Sequence, residues 1–159
     1  MDSIKILWAD DEIDLLKPQI FFLEQKGYHV TPVSNGQDAL ERCQEEVFDI
    51  VFLDESMPGL TGLETLSRLK QVRSQIPVVM ITKNEEENVM EDAIGSEIAD
   101  YLIKPVKPQQ ILLTLKKIID NKRLVSEKTN SAYQQEFQRL FMSIQNVTNY
   151  KEWVEVFKQ

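Results

Sequence analysis

Asp10, Asp11, Asp54, Thr82 and Lys104 are the residues of this chain with chemistry to offer, because each stands where a short apolar run stops. Burying an unpaired carboxylate is expensive, so such a group is ordinarily paired, bound to metal or set in a cleft. Three carboxylates crowded together repel one another, and one of them holds a proton at neutral pH unless a cation intervenes. Mg²⁺ suits such a set: it takes oxygen ligands, keeps several waters and pairs with phosphoryl groups. A carboxylate held by Mg²⁺ and open to solvent can attack a phosphoryl donor to give an acyl phosphate. Asp54 is the candidate nucleophile, and Ser56 lies two residues on, in a turn whose backbone carbonyls could complete the metal shell. Lys104 would neutralise charge on the equatorial phosphoryl oxygens, and Thr82 would hydrogen-bond one of them.

The elements that must position these groups are legible up to about residue 122. Strand candidates are Ile4–Ala9, Tyr28–Val33, Asp49–Leu53, Val78–Thr82 and Tyr101–Ile103. Between them, apolar residues recur every three or four positions over 12–26, 36–46, 62–74, 86–95 and 108–122, which predicts helices. Five such repeats with right-handed crossovers give a five-stranded parallel sheet covered on both faces. Functional groups on such a sheet gather at the carboxyl ends of the strands, where all five of these residues fall. Singly each signal is weak. "ADDE" reads equally as a helix cap with an acidic first turn, Asp54 as another cap, Thr82 as a strand end and Lys104 as a solvated lysine. Their combination at successive strand ends is far more specific.

The bulk properties fit one soluble domain with a short remainder. Apolar residues make up 42% and charged residues 28% of 159, an ordinary globular balance. No apolar run approaches the roughly 20 residues of a membrane span, and no basic-then-apolar leader opens the chain, so a cytoplasmic protein without an export signal is expected. The single cysteine, Cys43, cannot form an intrachain disulfide and is read as a small helix residue. Residues 1–122 hold 13 Lys/Arg against 22 Asp/Glu, and residues 123–159 hold 5 against 4. An acidic body with a nearly neutral tail argues against direct binding of nucleic acid.

The segments "ILWADDE", "VFLDESMPGLTG", "VVMITK" and "DYLIKP" resemble the four signatures of response-regulator receiver domains of two-component signalling. The resemblance spans about residues 3–122 and implies a receiver domain over 1–122, with a flavodoxin-like, CheY-like doubly wound sheet. Residue by residue it implies that Asp54 is the phosphoacceptor. Asp11, Asp54 and the Ser56 carbonyl would bind Mg²⁺ directly, Asp10 through water. Thr82 and Tyr101 would form the switch pair, Lys104 would contact the phosphoryl group, and the Lys104–Pro105 bond would be cis. Ser56 and Asn84 occupy positions that tune the lifetime of the phosphoryl group in this family. The usual donor is the phosphohistidine of a sensor histidine kinase, while His29 of this chain reads as a surface strand residue. Trp8, Lys83 and Glu97 depart from the usual pattern without removing a catalytic group. Such a domain is a regulatory phosphoacceptor rather than an enzyme. A degenerate receiver serving as a docking platform is the alternative. A Mg²⁺-dependent aspartyl phosphatase is a third reading, disfavoured because Ser56 stands where that chemistry wants a second acid.

Residues 123–159 read as a helical extension. "YQQEFQRLFMSI" puts Tyr133, Phe137, Leu140, Phe141 and Ile144 at helical spacing, and "TNYKEWVEVFKQ" repeats the pattern behind a capping box of Asn149 and Glu152. The second stripe stops mid-pattern at Gln159, as the start of a helical bundle cut short would. With this tail the chain resembles PorX-type response regulators of type IX secretion. Those run from receiver through a helical bundle to a large PglZ domain of the alkaline-phosphatase superfamily. The expected output is a phosphorylation-dependent change in the helical module, with homodimerisation through the face of the fourth and fifth helices.

Overall fold

Five apolar runs pair side by side into one parallel sheet. The computed structural model describes residues 3–83 and 98–121, together with Gln135 and Arg139. The strands are β1 (Lys5–Ala9), β2 (His29–Val33), β3 (Ile50–Asp54), β4 (Val78–Thr82) and β5 (Asp100–Ile103), in the order β2-β1-β3-β4-β5. All neighbouring pairs are parallel, with Ala9 beside Leu53, Asp54 beside Ile81 and Thr82 beside Ile103. The five-stranded α/β architecture is therefore the one the sequence pattern predicts. Every residue of β3 and β4 is buried, which is why these strands are continuous apolar runs rather than alternating ones. Edge strand β2 leaves His29 exposed, as expected of a surface strand residue.

Helices α1 (Lys17–Gln25), α2 (Gly36–Glu45) and α3 (Gly62–Val72) connect the strands, and a further helix runs over 108–121. The single helix expected over 12–26 is instead a 3-10 turn, Ile13–Leu16, followed by α1. Pro18 accounts for the break, because it has no N–H to donate one turn back and is tolerated only at a helix start. Helix α2 is capped by Asn35, whose side chain accepts from the Asp38 N–H at 2.8 Å. Helix α3 opens with a full capping box between Thr61 and Glu64. Strand β3 begins one residue later than expected. Asp49 instead accepts a 2.8 Å hydrogen bond from the Lys5 N–H, tying the entry of β3 to the start of β1.

The core lies on both faces of the sheet. On one, Leu7, Ala9, Val51, Leu53 and Met80 pack against Leu40 and Cys43 of α2 and Leu66 and Leu69 of α3. Trp8 is fully buried beneath the acidic strand ends, edge-on to Phe52 with ring centres 5.2 Å apart. Among the described residues no helix is long and apolar enough to cross a membrane. The chain divides into two compact units, Met1–Ile118 and Ile119–Gln159. In the second, Gln135 and Arg139 are helical and exposed. The helix expected over 86–95, the apolar stripes expected within 133–144 and 148–159, and Asn84 and Glu97 lie outside the described residues.

The turn after β3 depends on two glycines. Gly59 has φ +81°, a conformation that residues with a side chain rarely adopt. Gly62 sits so close to the end of β3 that a Cβ there would lie 2.5 Å from the Asp54 carbonyl oxygen and 2.7 Å from the Glu55 Cα. Backbone cannot yield as a flexible side chain can. Gly62→Ala should therefore lower stability by about 2–3 kcal/mol, outweighing a helix-propensity gain of at most about 1 kcal/mol. Urea unfolding with an unchanged m value is the check; a loss under about 0.5 kcal/mol would contradict the close approach.

Candidate functional site

Parallel pairing delivers the ends of β1, β3, β4 and β5 to one edge of the sheet. Asp10 follows β1 and is held by its own N–H, which donates to the Val33 carbonyl at 3.1 Å. Asp54 is the last residue of β3. One carboxylate oxygen from each of Asp10, Asp11 and Asp54 lies within 4.8 Å of the others. Asp10 and Asp54 are buried, at 1% and 3% exposure, whereas Asp11 is exposed. The site thus has two deep acids and one at the rim.

Lys104 reaches in from the end of β5, where its N–H donates to the Thr82 carbonyl at 2.8 Å. Its Nζ stands 3.0 Å from Asp10 Oδ2 and 3.2 Å from Asp54 Oδ2. The Lys104–Pro105 bond that follows is cis, as expected. The remaining acceptors are engaged by backbone: Asp10 Oδ1 accepts from the Glu12 N–H at 2.8 Å, and Asp54 Oδ1 from the Ser56 N–H at 3.2 Å. The intervening cation that the crowded acids require is therefore, in part, a residue of the chain.

These contacts do not fully compensate Asp54. Burial, and then the charge of Asp10, raise its carboxyl from an ordinary 3.8 to about 6, against the opposing pull of Lys104 and the Ser56 N–H. Burial works against the Lys104 ammonium, but its bond to Asp10 and the charges of Asp10 and Asp54 outweigh that and raise its pKa. The three carboxylates and the Lys104 ammonium by themselves leave about two negative charges. Only hard oxygen donors face the cleft from this trio, so the set fits a hard divalent cation. Asp11 makes no ion pair among the described residues, and its exposure leaves room for it to turn towards an ion.

The other expected residues fall as follows. Thr82 is buried at the end of β4, but its hydroxyl donates to Glu55 Oε2. Tyr101 is 37% exposed on β5, beside Met80. Ser56 is exposed and contributes its N–H to Asp54. Lys83 is exposed and lines the same cleft of about 430 Å³ as Asp11, Asp54 and Lys104. Trp8 borders a neighbouring cavity with Asp10 and Lys104, its buried indole N–H having no hydrogen-bond partner among the described residues. Cys43 is buried on α2, and burial pushes its thiol up to about 11, which suits an inert core residue. Glu55 had no expected role. The signal lay in register: Glu55, just past β3, and Thr82, the end of β4, each follow the Asp54–Ile81 pair.

The raised carboxyl of Asp54 has a stability consequence with a definite sign. The folded state binds this proton up to about pH 6 and the unfolded state only to about 3.8. The resulting stabilisation is complete below the lower value and lost as pH rises through the upper one. A shift of this size corresponds to roughly 2–3 kcal/mol of unfavourable ionisation at neutral pH. In the presence of chelator, Asp54→Asn should therefore raise the melting temperature by several degrees at pH 7.5. The gain should shrink as pH falls from 6 towards 4; a gain that stays constant across that range would show that Asp54 titrates normally.

Known proteins carry the same framework. Residues 6–116 match the family described as the response regulator receiver domain, and residues 123–159 match the PorX response regulator linker domain. The alkaline phosphatase synthesis transcriptional regulatory protein PhoP of Bacillus subtilis is 33% identical over 117 residues, which are 72% of this chain and 48% of that protein. The transcriptional regulatory protein ZraR of Klebsiella oxytoca is 35% identical over 123 residues, 77% of this chain and 28% of that one. The chain thus spans less than half the length of either relative. The crystal structure of a response regulator receiver domain protein from Clostridium thermocellum superposes with a TM-score of 0.71 at 29% identity, covering 77% of this chain and 98% of that one. A family match over residues 6–116, on the parallel sheet and acidic edge described above, makes this chain a member of the response-regulator receiver family.

Proposed function

We propose that this chain is a Mg²⁺-dependent phosphorylation switch in which Asp54 accepts a phosphoryl group from a sensor histidine kinase. Membership of the receiver family makes it a regulatory phosphoacceptor domain of two-component signalling; the finer assignments are ours. The observation that carries them is the Lys104 ammonium bridging Asp10 and Asp54, with an Asp11 oxygen within 4.8 Å of theirs at the rim. Asp10, Asp11, Asp54 and the Ser56 carbonyl would hold Mg²⁺, which when bound supplies a Lewis acid beside the transferred group. A carboxylate oxygen of Asp54 attacks phosphorus, and the P–N bond of the phosphohistidine breaks. Its electron pair stays with the imidazole, which takes a proton from water. The Ser56 N–H fixes the orientation of the Asp54 carboxylate. The Lys104 ammonium, already 3.2 Å from Asp54, is poised to neutralise the phosphoryl oxygens.

Thr82 and Tyr101 then relay the new charge, and Ser56 and Asn84 set how long the phosphoryl group persists. We take residues 1–122 as the switch and 123–159 as a helical bundle element that receives its signal. The match to the PorX linker over 123–159 supports a PorX-type response regulator, and with it a role in type IX secretion. On this reading the chain acts in the cytoplasm through protein partners, a sensor kinase and a second copy of itself, rather than by binding nucleic acid or membrane.

A small acyl phosphate with Mg²⁺ should add the mass of one phosphoryl group to the wild-type chain and nothing to Asp54→Asn or to a chelated sample. Lys104→Ala should slow the modification about a hundredfold, the order expected for removing one fixed charge-stabilising donor. If wild type gains no Mg²⁺-dependent mass, or gains it at another residue, the proposal is wrong.

A further inference from the structure

We infer that Glu55 is a positioning residue of the switch: it holds the Thr82 hydroxyl while Asp54 is unmodified and must release it when the phosphoryl group arrives. The contact is specific. Thr82 is 3% exposed, and its hydroxyl donates to Glu55 Oε2. Backbone brings the two residues together, because the Glu55 N–H donates to the Ile81 carbonyl at 2.8 Å just past the last β3–β4 pair, Asp54 and Ile81. A hydroxyl has one proton to donate, so Thr82 serves either the Glu55 carboxylate or a phosphoryl oxygen on Asp54. Hydrogen bonds to a carboxylate are of the stronger kind, and a poorly solvated setting strengthens them further.

Glu55 opposes the modified state in a second way. It lines the same cleft as Asp54, Thr82 and Lys104, so its charge faces the incoming group. A phosphoryl group adds close to two negative charges at neutral pH. Competition for one proton and repulsion between like charges act in the same direction. Glu55 therefore sets how strongly the domain resists switching, chiefly through Thr82; the repulsion acts across a solvent-open cleft, is screened, and is the smaller part that remains without the hydroxyl. This inference rests on the reading of Asp54 as the phosphoacceptor and Thr82 as the hydroxyl that meets its phosphoryl group.

The test is a beryllofluoride titration of the full chain at saturating Mg²⁺, with bound fluoride followed by fluorine NMR. Glu55→Ala should lower the half-saturating concentration about tenfold, the order set by one charge-assisted hydrogen bond. In a Thr82→Val background, which has no hydroxyl to release, the same substitution should shift the midpoint less than about twofold, and Thr82→Ser should restore the larger shift. Glu55→Gln keeps an acceptor oxygen without the charge and should shift the midpoint less than Glu55→Ala. Absence of Mg²⁺-dependent binding to the wild-type chain would overturn the phosphoacceptor reading and this inference with it. Wild-type binding with an unchanged midpoint in Glu55→Ala, an equal shift in both Thr82 backgrounds, or a Glu55→Gln shift as large as that of Glu55→Ala would overturn the inference alone.

Discussion

One ammonium makes the acidic edge of this sheet tenable. Asp10 and Asp54 are both nearly devoid of solvent contact, and Lys104 stands within 3.2 Å of each. Without it, two like charges would share a site that water scarcely reaches, and such groups protonate rather than stay ionised. A buried ion pair of this kind is weak evidence for stability, because desolvation offsets much of the attraction. Its meaning lies in what it keeps available: a buried carboxylate that is deprotonated at neutral pH and faces a cleft.

The compensation is deliberately incomplete in charge. Lys104 balances one of three acids, and burial and Asp10 still hold the Asp54 carboxyl above its ordinary value, at about 6. The trio is thus a place of unfavourable charge, the kind that a divalent cation would relieve. Backbone supplies the rest of the geometry. The Ser56 N–H orients Asp54, and the absence of a Cβ at Gly62 lets α3 begin directly beneath the strand end. Residues of little chemical interest hold the residues of much.

Much of this was legible in the sequence, for identifiable reasons. Strands β3 and β4 are buried along their whole length, so their apolar runs stand out, and Asp54 and Thr82 mark where those runs stop. Strand boundaries moved by a residue where an acid could serve two roles, as Asp49 does in capping β1 rather than entering β3. The first helix broke because Pro18 withdrew one hydrogen-bond donor within an otherwise helical pattern. Nothing in the linear sequence marks Glu55, because its partner is 27 residues away on a neighbouring strand. Composition and periodicity carry no register, and register alone brings Glu55 and Thr82 together. The burial of the Trp8 indole N–H without a partner belongs to the same class: the unusual residue was visible, but its unsatisfied donor was not.

The most direct measurement is a carbon NMR titration of the Asp54 side-chain carboxyl, first with chelator and then at saturating Mg²⁺. The expected result is a midpoint near 6 without metal, moved well below the ordinary carboxylate value once the ion is bound. A midpoint near 3.8 under both conditions, unmoved by Mg²⁺, would contradict the claim that these acids form one metal-dependent site.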